Sequence, residues 1–180
     1  HGMKAGIMVA AAKSYFHTLV HETDLLTMLR RMSSGLKNLN MKLMYMGLIL
    51  MQCRNYELEI AVAGMPPILH YSKRTQNVTR VTLKGLPLGG KAVFPYKAEK
   101  MKVEEGDVLL LMSDGLPELF NAEREMFGIE RVEEILMNSN GYGARDIITQ
   151  IKQGAESWVG SNSPHDDITL MVLKVQKCAT

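Results

Sequence analysis

Apolar positions along this chain recur first with a helical period, then with a strand period, then with a helical period again, and end in one apolar run. From residue 3 to about residue 20, Ile7, Ala11 and Tyr15 stand one helical turn apart with small residues between them, and Gly2 allows a close approach at the start. Leu25, Leu26, Leu29, Met32 and Leu36 keep that spacing, and Gly35 with Asn38, Leu39 and Asn40 provides a stop signal. A helix pair is therefore expected. Residues 43–50 are continuously apolar, whereas Leu58, Ile60 and Val62 alternate with Glu57, Glu59 and Ala61, so that with a turn at Arg54 and Asn55 the two segments read as a hairpin. Pro66 and Pro67 interrupt pairing before a strand at 68–71, and the polar stretch 72–77 turns the chain into another at 78–83. A glycine and proline loop at 85–90 precedes a strand region at 94–103, a turn at Glu105, Gly106 and Asp107, and the apolar strand 108–112.

The period then changes. Ile129, Val132, Ile135 and Leu136 predict one helix, and Ile147, Ile151, Ala155 and Trp158 another, linked through 138–143. A last strand at 168–175 looks buried. Helix pair, antiparallel strands, helix pair, strand is an α+β order, and 180 residues suit one domain spanning 1–180 with a substantial core. No internal repeat or low-complexity segment interrupts it.

Composition narrows the function classes mainly by exclusion. Lys and Arg number 21 against 19 Asp and Glu, a net +2, so no charge field argues for nucleic acid or a membrane surface. Cys53 and Cys178 lie far apart and outside any metal spacing, as in a reducing compartment. The apolar runs stop short of a membrane span and no signal-peptide pattern is present, so a cytoplasmic domain without direct membrane contact is expected. Most of the 14 Met residues read as adaptable core filling.

The candidate chemistry is acidic. The apolar run 108–112 ends abruptly in Ser113, Asp114 and Gly115, and Asp166 and Asp167 stand directly before the last strand. Carboxylates delivered at the tips of separate strands are rigid mounts for Mg²⁺ or Mn²⁺, which prefer hard oxygen ligands. The plainer alternatives are a Ser-Asp-Gly turn and a solvated strand cap. Gly115 either turns the chain sharply and leaves space beside the ligand or is an ordinary turn glycine. Glu118 supports the site from behind or supplies a favourable charge at a helix N-terminus, and stands outside the ligand set. Neighbours on a strand point to opposite faces, so spacing does not decide between Asp166 and Asp167.

The motifs Ala63-Gly64-Met65-Pro66-Pro67, Gly85-Leu86-Pro87-Leu88-Gly89, Gly106-Asp107, Ser113-Asp114-Gly115-Leu116-Pro117-Glu118 and Asp166-Asp167-Ile168-Thr169, preceded by His1-Gly2 through Gly6, occur in the order found in the PPM-type metal-dependent serine/threonine phosphatases. Over essentially its whole length the chain resembles their sporulation stage II protein E branch. That resemblance implies a four-layer α-β-β-α sandwich, two Mn²⁺ or Mg²⁺ ions, and a metal-activated water in place of a side-chain nucleophile. It implies Asp114 and Asp166 as metal ligands, with Gly115 and Asp167 supporting them.

The implied reaction is hydrolysis of phosphoserine on a bacterial regulatory protein of the anti-sigma-factor antagonist type, under control of an upstream sensor domain. A catalytically silent PPM-like binding module is the alternative from another class, and a small-molecule phosphohydrolase is a third reading. The family's first motif, Gly-Asp-x-x-Gly-His-Gly, meets this chain only at His1-Gly2, so its metal-binding aspartate and the strands before it are not in the sequence. An N-terminally truncated domain is the expectation, with weak metal binding, little phosphatase activity, an unpaired sheet edge and a tendency to homodimerise. His1 then reads as part of a structural turn and His165 as a surface histidine. Met65 replaces a residue commonly polar in relatives, and the first helix pair corresponds to an element that acts in this branch as a regulatory switch.

Overall fold

The computed structural model of the chain describes residues 2–22, 24–41, 44–160 and 166–177. His1, His165, Cys178 and Leu43, which figured in the sequence reading, lie outside them. The chain divides into two compact units, one running up to Met65 and resuming over Leu83–Lys102, the other comprising Pro66–Thr82 and the chain from Val103 onward.

In the first unit, helices α1 (Gly2–Leu19) and α2 (Leu25–Asn38) share an apolar cluster with the antiparallel sheet β1-β2-β5, formed by β1 (Leu48–Arg54), β2 (Glu57–Ala63) and β5 (Ala98–Lys102). Asp24 caps α2 by accepting the backbone N–H groups of Leu26 and Thr27 at 3.2 and 3.0 Å, and Asn40, with φ 51°, ends it. Gly35 does not stop the helix. It lies buried within α2, where a Cβ would come 2.3 Å from the Tyr15 ring, so its function is close helix packing. The buried stripe of α1 is Met8, Ala12 and Leu19, while Ile7 is exposed, one position away from the expected face. Met3, Val9 and Phe16 are exposed as well, interspersed with the exposed polar residues Lys4, Lys13, Ser14, His17 and Thr18.

The hairpin is displaced from its expected position. Strand β1 begins at Leu48 and continues through Cys53 and Arg54, which pair with Leu58 and Glu57, and the turn is Asn55-Tyr56 with φ 48° and 63°. Two consecutive positive φ values produce a tight connection whose twist matches the strands, and this outweighs the apolar run as the determinant of register. Expected strand 94–103 is reduced to 98–102, because Tyr96 is buried and donates its hydroxyl to the Leu86 carbonyl at 2.9 Å, which fixes the glycine and proline loop instead. A Cβ on Gly85 would stand 2.3 Å from the Val62 carbonyl, and Gly64 donates to the Gly85 carbonyl at 3.0 Å. Two of the sequence motifs thus abut and serve packing.

In the second unit, β3 (Ile68–Ser72), β4 (Asn77–Val81), β6 (Val108–Met112) and β7 (Leu170–Lys174) form an antiparallel sheet in the order β4-β3-β6-β7. Helices α3 (Gly128–Met137) and α4 (Ala144–Val159) cover one face through Val132, Leu136, Ile147 and Ile151, packed on Leu69 and Leu110. Central strand β6 is buried nearly throughout, as its uninterrupted apolar run predicts. The last strand is not buried: β7 is the sheet edge, and Met171 and Leu173 are exposed while Leu170 and Val172 pack toward the helices. Among the described residues, two antiparallel sheets and four helices make the expected α+β class.

Candidate metal and phosphate site

The two segments that carry the acidic residues meet at the end of β6. Asp114 follows that strand by two residues in a turn closed by the Glu118 N–H on the Asp114 carbonyl at 3.1 Å, and its carboxylate is exposed. Asp166 and Asp167 are also exposed, but they do not sit on the tip of β7: residues 167–169 are irregular and the strand begins at Leu170. Strand alternation therefore says nothing about which of the two faces a ligand. The Asp166 carboxylate accepts the Asp167 N–H at 2.8 Å through Oδ1, which leaves Oδ2 for another partner.

Ser113 joins the two segments, a function the sequence reading did not assign to it. Its backbone N–H donates to the Thr169 carbonyl at 3.0 Å, its Oγ accepts the Thr169 N–H at 2.9 Å, and the hydroxyl lies 3.3 Å from the Asp167 carbonyl. Gly115 completes the junction. It does not need a positive φ, so the sharp-turn argument fails; the requirement is space, because a Cβ there would stand 2.4 Å from the Asp167 carbonyl oxygen. The signal was present in the sequence as a small hydroxyl and a glycine flanking an aspartate, but only the fold identifies what they touch. No helix follows Glu118, since α3 starts at Gly128, and the helix-terminus explanation for that residue is removed.

At the opposite end of β6 from the junction, Asp107 is buried and accepts the N–H groups of Lys73 at 2.9 Å and Glu104 at 3.0 Å, with His70 Nε2 at 3.0 Å. Burial opposes its ionisation, but the Glu104 and Lys73 N–H groups and then His70 outweigh that cost and hold its carboxyl below the usual range. Asp107 leads directly into β6 and so ties the start of that strand to β3 and the turn after it.

The donor chemistry at Asp114 and Asp166 fits a hard divalent cation, and Asp114 makes no side-chain hydrogen bond or ion pair among the described residues. No group of three His, Cys, Asp or Glu side chains suited to a metal converges among them. Mg²⁺ is commonly held by one or two carboxylates with water and phosphate oxygens completing the shell, so a partial protein ligand set is compatible with it. Among the described residues no helix is long and apolar enough to cross a membrane.

Comparison with known proteins follows the same lines. Over 119 residues the chain is 26% identical to phosphoserine phosphatase RsbU of Bacillus subtilis (strain 168), which covers 66% of this chain and 35% of that protein, so the chain spans about a third of its length. The solved SiaA-PP2C domain of Pseudomonas aeruginosa superposes with a TM-score of 0.83 at 17% identity, covering 98% of this chain and 72% of that one. The phosphatase domain of the cell fate determinant SpoIIE from Bacillus subtilis, in a manganese-presoaked crystal, gives a TM-score of 0.62 at 16% identity over 94% of this chain and 75% of that one. These likenesses establish a PP2C-type fold. The family model for stage II sporulation protein E matches residues 1–176, and the chain belongs to the SpoIIE family.

Proposed function

We propose that this chain is the catalytic part of a metal-dependent protein serine/threonine phosphatase that hydrolyses phosphoserine on a bacterial regulatory protein of the anti-sigma-factor antagonist type. The observation that carries the reading is the junction at the end of β6, where Ser113 and Gly115 hold the turn bearing Asp114 against the segment bearing Asp166 and Asp167. The phosphoserine phosphatase named among the relatives and the manganese-presoaked structure support the same chemistry.

In this reading Asp114 and Asp166 hold Mn²⁺ or Mg²⁺, two ions in the complete site, and Asp167 and Gly115 keep the carboxylates in register. Bound there, the metal supplies charge neutralisation for a phosphoryl dianion and a water acidic enough to attack at neutral pH. The chain's own contribution is positioning. Ser113 takes both backbone groups of Thr169, so the two carboxylate segments move together and little reorganisation is left for the moment of reaction. Neither a histidine nor a cysteine nucleophile is needed. A cytoplasmic location, an upstream sensor domain and a homodimer complete the proposal.

One observation favours the rival reading of a silent binding module: the described residues offer fewer than three converging metal ligands. Release of inorganic phosphate from a phosphoserine protein, measured as Mn²⁺ is raised into the millimolar range, separates the two. Turnover that appears with Mn²⁺ and is abolished by a chelator supports the phosphatase; binding of the phosphoprotein without turnover at any metal concentration supports the silent module.

A further inference from the structure

Beside Asp114 lies a cleft of about 360 Å³, and its lining is mostly apolar, with Pro66, Pro67, Pro117, Met126 and Ile129 joined by the carboxylates Glu118 and Glu130. Met126 is 49% exposed, and a single exposed methionine would ordinarily need no explanation. Its backbone setting is what makes it unusual. Residues 117–128 form a narrow hairpin in which Phe120 bridges Met126, Phe127 donates to the Leu119 carbonyl at 2.7 Å, and Gly128 donates to the Pro117 carbonyl at 2.9 Å.

Side chains from both helices then lock the returning arm. Trp158 Nε1 donates to the Glu125 carbonyl at 3.2 Å, and Arg131 Nη1 donates to the Met126 and Phe127 carbonyls at 3.2 and 2.8 Å. The Arg131 guanidinium lies 3.7 Å from the centre of the Trp158 ring, so the two clamps brace each other. Asn121 and Glu125 close the tip through bonds of 3.0 and 2.8 Å. A backbone held at this many points presents Met126 in a fixed place with little ordering cost left for a ligand, while the unbranched side chain can still adapt to what it meets.

The two carboxylates of the lining are unequally engaged. Glu130 is engaged by Arg80 at 2.9 Å, whereas the Glu118 carboxylate is exposed and has no partner among the described residues. An apolar floor, one uncommitted carboxylate and a shared wall at Asp114 suit a polypeptide better than a free phosphate ester, because a small ester held at Asp114 has nothing to place in the cleft. Resting on the phosphatase reading above, we propose that this cleft selects the substrate sequence, taking an aliphatic side chain on Met126 and Ile129 and an adjacent Lys or Arg at Glu118, within about three residues of the phosphoserine at ~3.3 Å per extended residue.

The test uses fluorescent peptides carrying a non-hydrolysable phosphonate analogue of phosphoserine, flanked either by Leu and Arg or by Ala and Glu, each with an unphosphorylated counterpart, titrated with the full chain in Mn²⁺. The Leu and Arg peptide should bind at least about tenfold more tightly. Met126→Ala should remove most of that preference, and Glu118→Gln should remove the part due to Arg, with unchanged melting curves showing that both variants fold. Equal or unmeasurable binding of the two sequences overturns the proposal, as does a preference that survives both substitutions. The phosphatase reading fails separately: a sequence preference with no gain from the phosphonate sinks that reading and keeps the cleft, while a phosphonate gain with no sequence preference does the reverse.

Discussion

Gly115→Ala is the smallest change that tests how the site is assembled. The added Cβ would meet the Asp167 carbonyl oxygen at 2.4 Å and its carbonyl carbon at 3.2 Å, and both are backbone atoms that cannot swing aside. Contacts under 3.0 Å essentially do not occur for real Cβ atoms, so the β6 turn and the Asp166-Asp167 segment must separate by about 0.6 Å or more. Overpacking of this kind costs ~1–3 kcal/mol. For a chain of this size that lowers the melting temperature by about 2–12 °C. The chemical consequence is larger, since displacing a catalytic group by about 1 Å costs ~10²-fold in turnover. Gly6→Ala is the control, because Gly6 lies in α1 with nothing within 4 Å of its would-be Cβ, and there the change should be neutral or slightly stabilising. The assay is thermal unfolding together with Mn²⁺-dependent phosphate release. A Gly115→Ala chain with wild-type melting and wild-type turnover would refute the claim that close approach at this glycine holds the two carboxylate segments.

Other outcomes follow from single features of the fold. The Tyr71 hydroxyl is buried and has no hydrogen-bond partner among the described residues, so Tyr71→Phe should stabilise the chain by about 1 kcal/mol in denaturant titration. Asp107 has a depressed folded pKa, so its contribution is full above the unfolded value near 3.8 and is lost as pH falls through the lower folded value. Asp107→Ala should cost about 3 kcal/mol at neutral pH and flatten the acid limb of a stability-pH profile below pH ~4. The exposed apolar side chains Met3, Ile7, Val9 and Phe16 of α1 should promote concentration-dependent self-association, which light scattering detects and Phe16→Glu should weaken.

Much of this architecture was legible in the order of periods. Helices α3 and α4 and strand β6 occur where the spacing of Ile147, Ile151 and Val108 through Met112 placed them, because long periodic segments and a central apolar strand carry a strong local signal. The first hairpin was misplaced because its register depends on two residues at positive φ, Asn55 and Tyr56, neither of them a glycine. Gly35 was misread as a stop because a helix can use a glycine for contact, here under the Tyr15 ring, as readily as for termination. At the site, the sequence identified Asp114, Asp166 and Asp167 as candidates but gave Gly115 the wrong reason and Ser113 no role. Both depend on contacts with residues more than fifty positions away in the chain, Asp167 and Thr169, which no local pattern encodes. The hairpin that presents Met126 was invisible for the same reason, since Arg131 and Trp158 hold it from two different helices.

The proposed phosphatase activity requires that Asp114 and Asp166 bind the metal. The most direct measurement is Mn²⁺ titration of phosphate release from a phosphoserine protein by the wild-type chain, Asp114→Asn and Asp166→Asn, with metal binding followed in parallel by calorimetry. Each substitution keeps the shape and removes a hard anionic ligand, and loss of such a charge at a reacting centre costs several kcal/mol, on the order of 10³-fold in rate. Low but Mn²⁺-dependent turnover is expected in the wild type, with a weak, millimolar metal requirement, near-complete loss in either variant, and unchanged melting in the absence of metal. Full turnover in chelator, or in a chain carrying both substitutions, would contradict it.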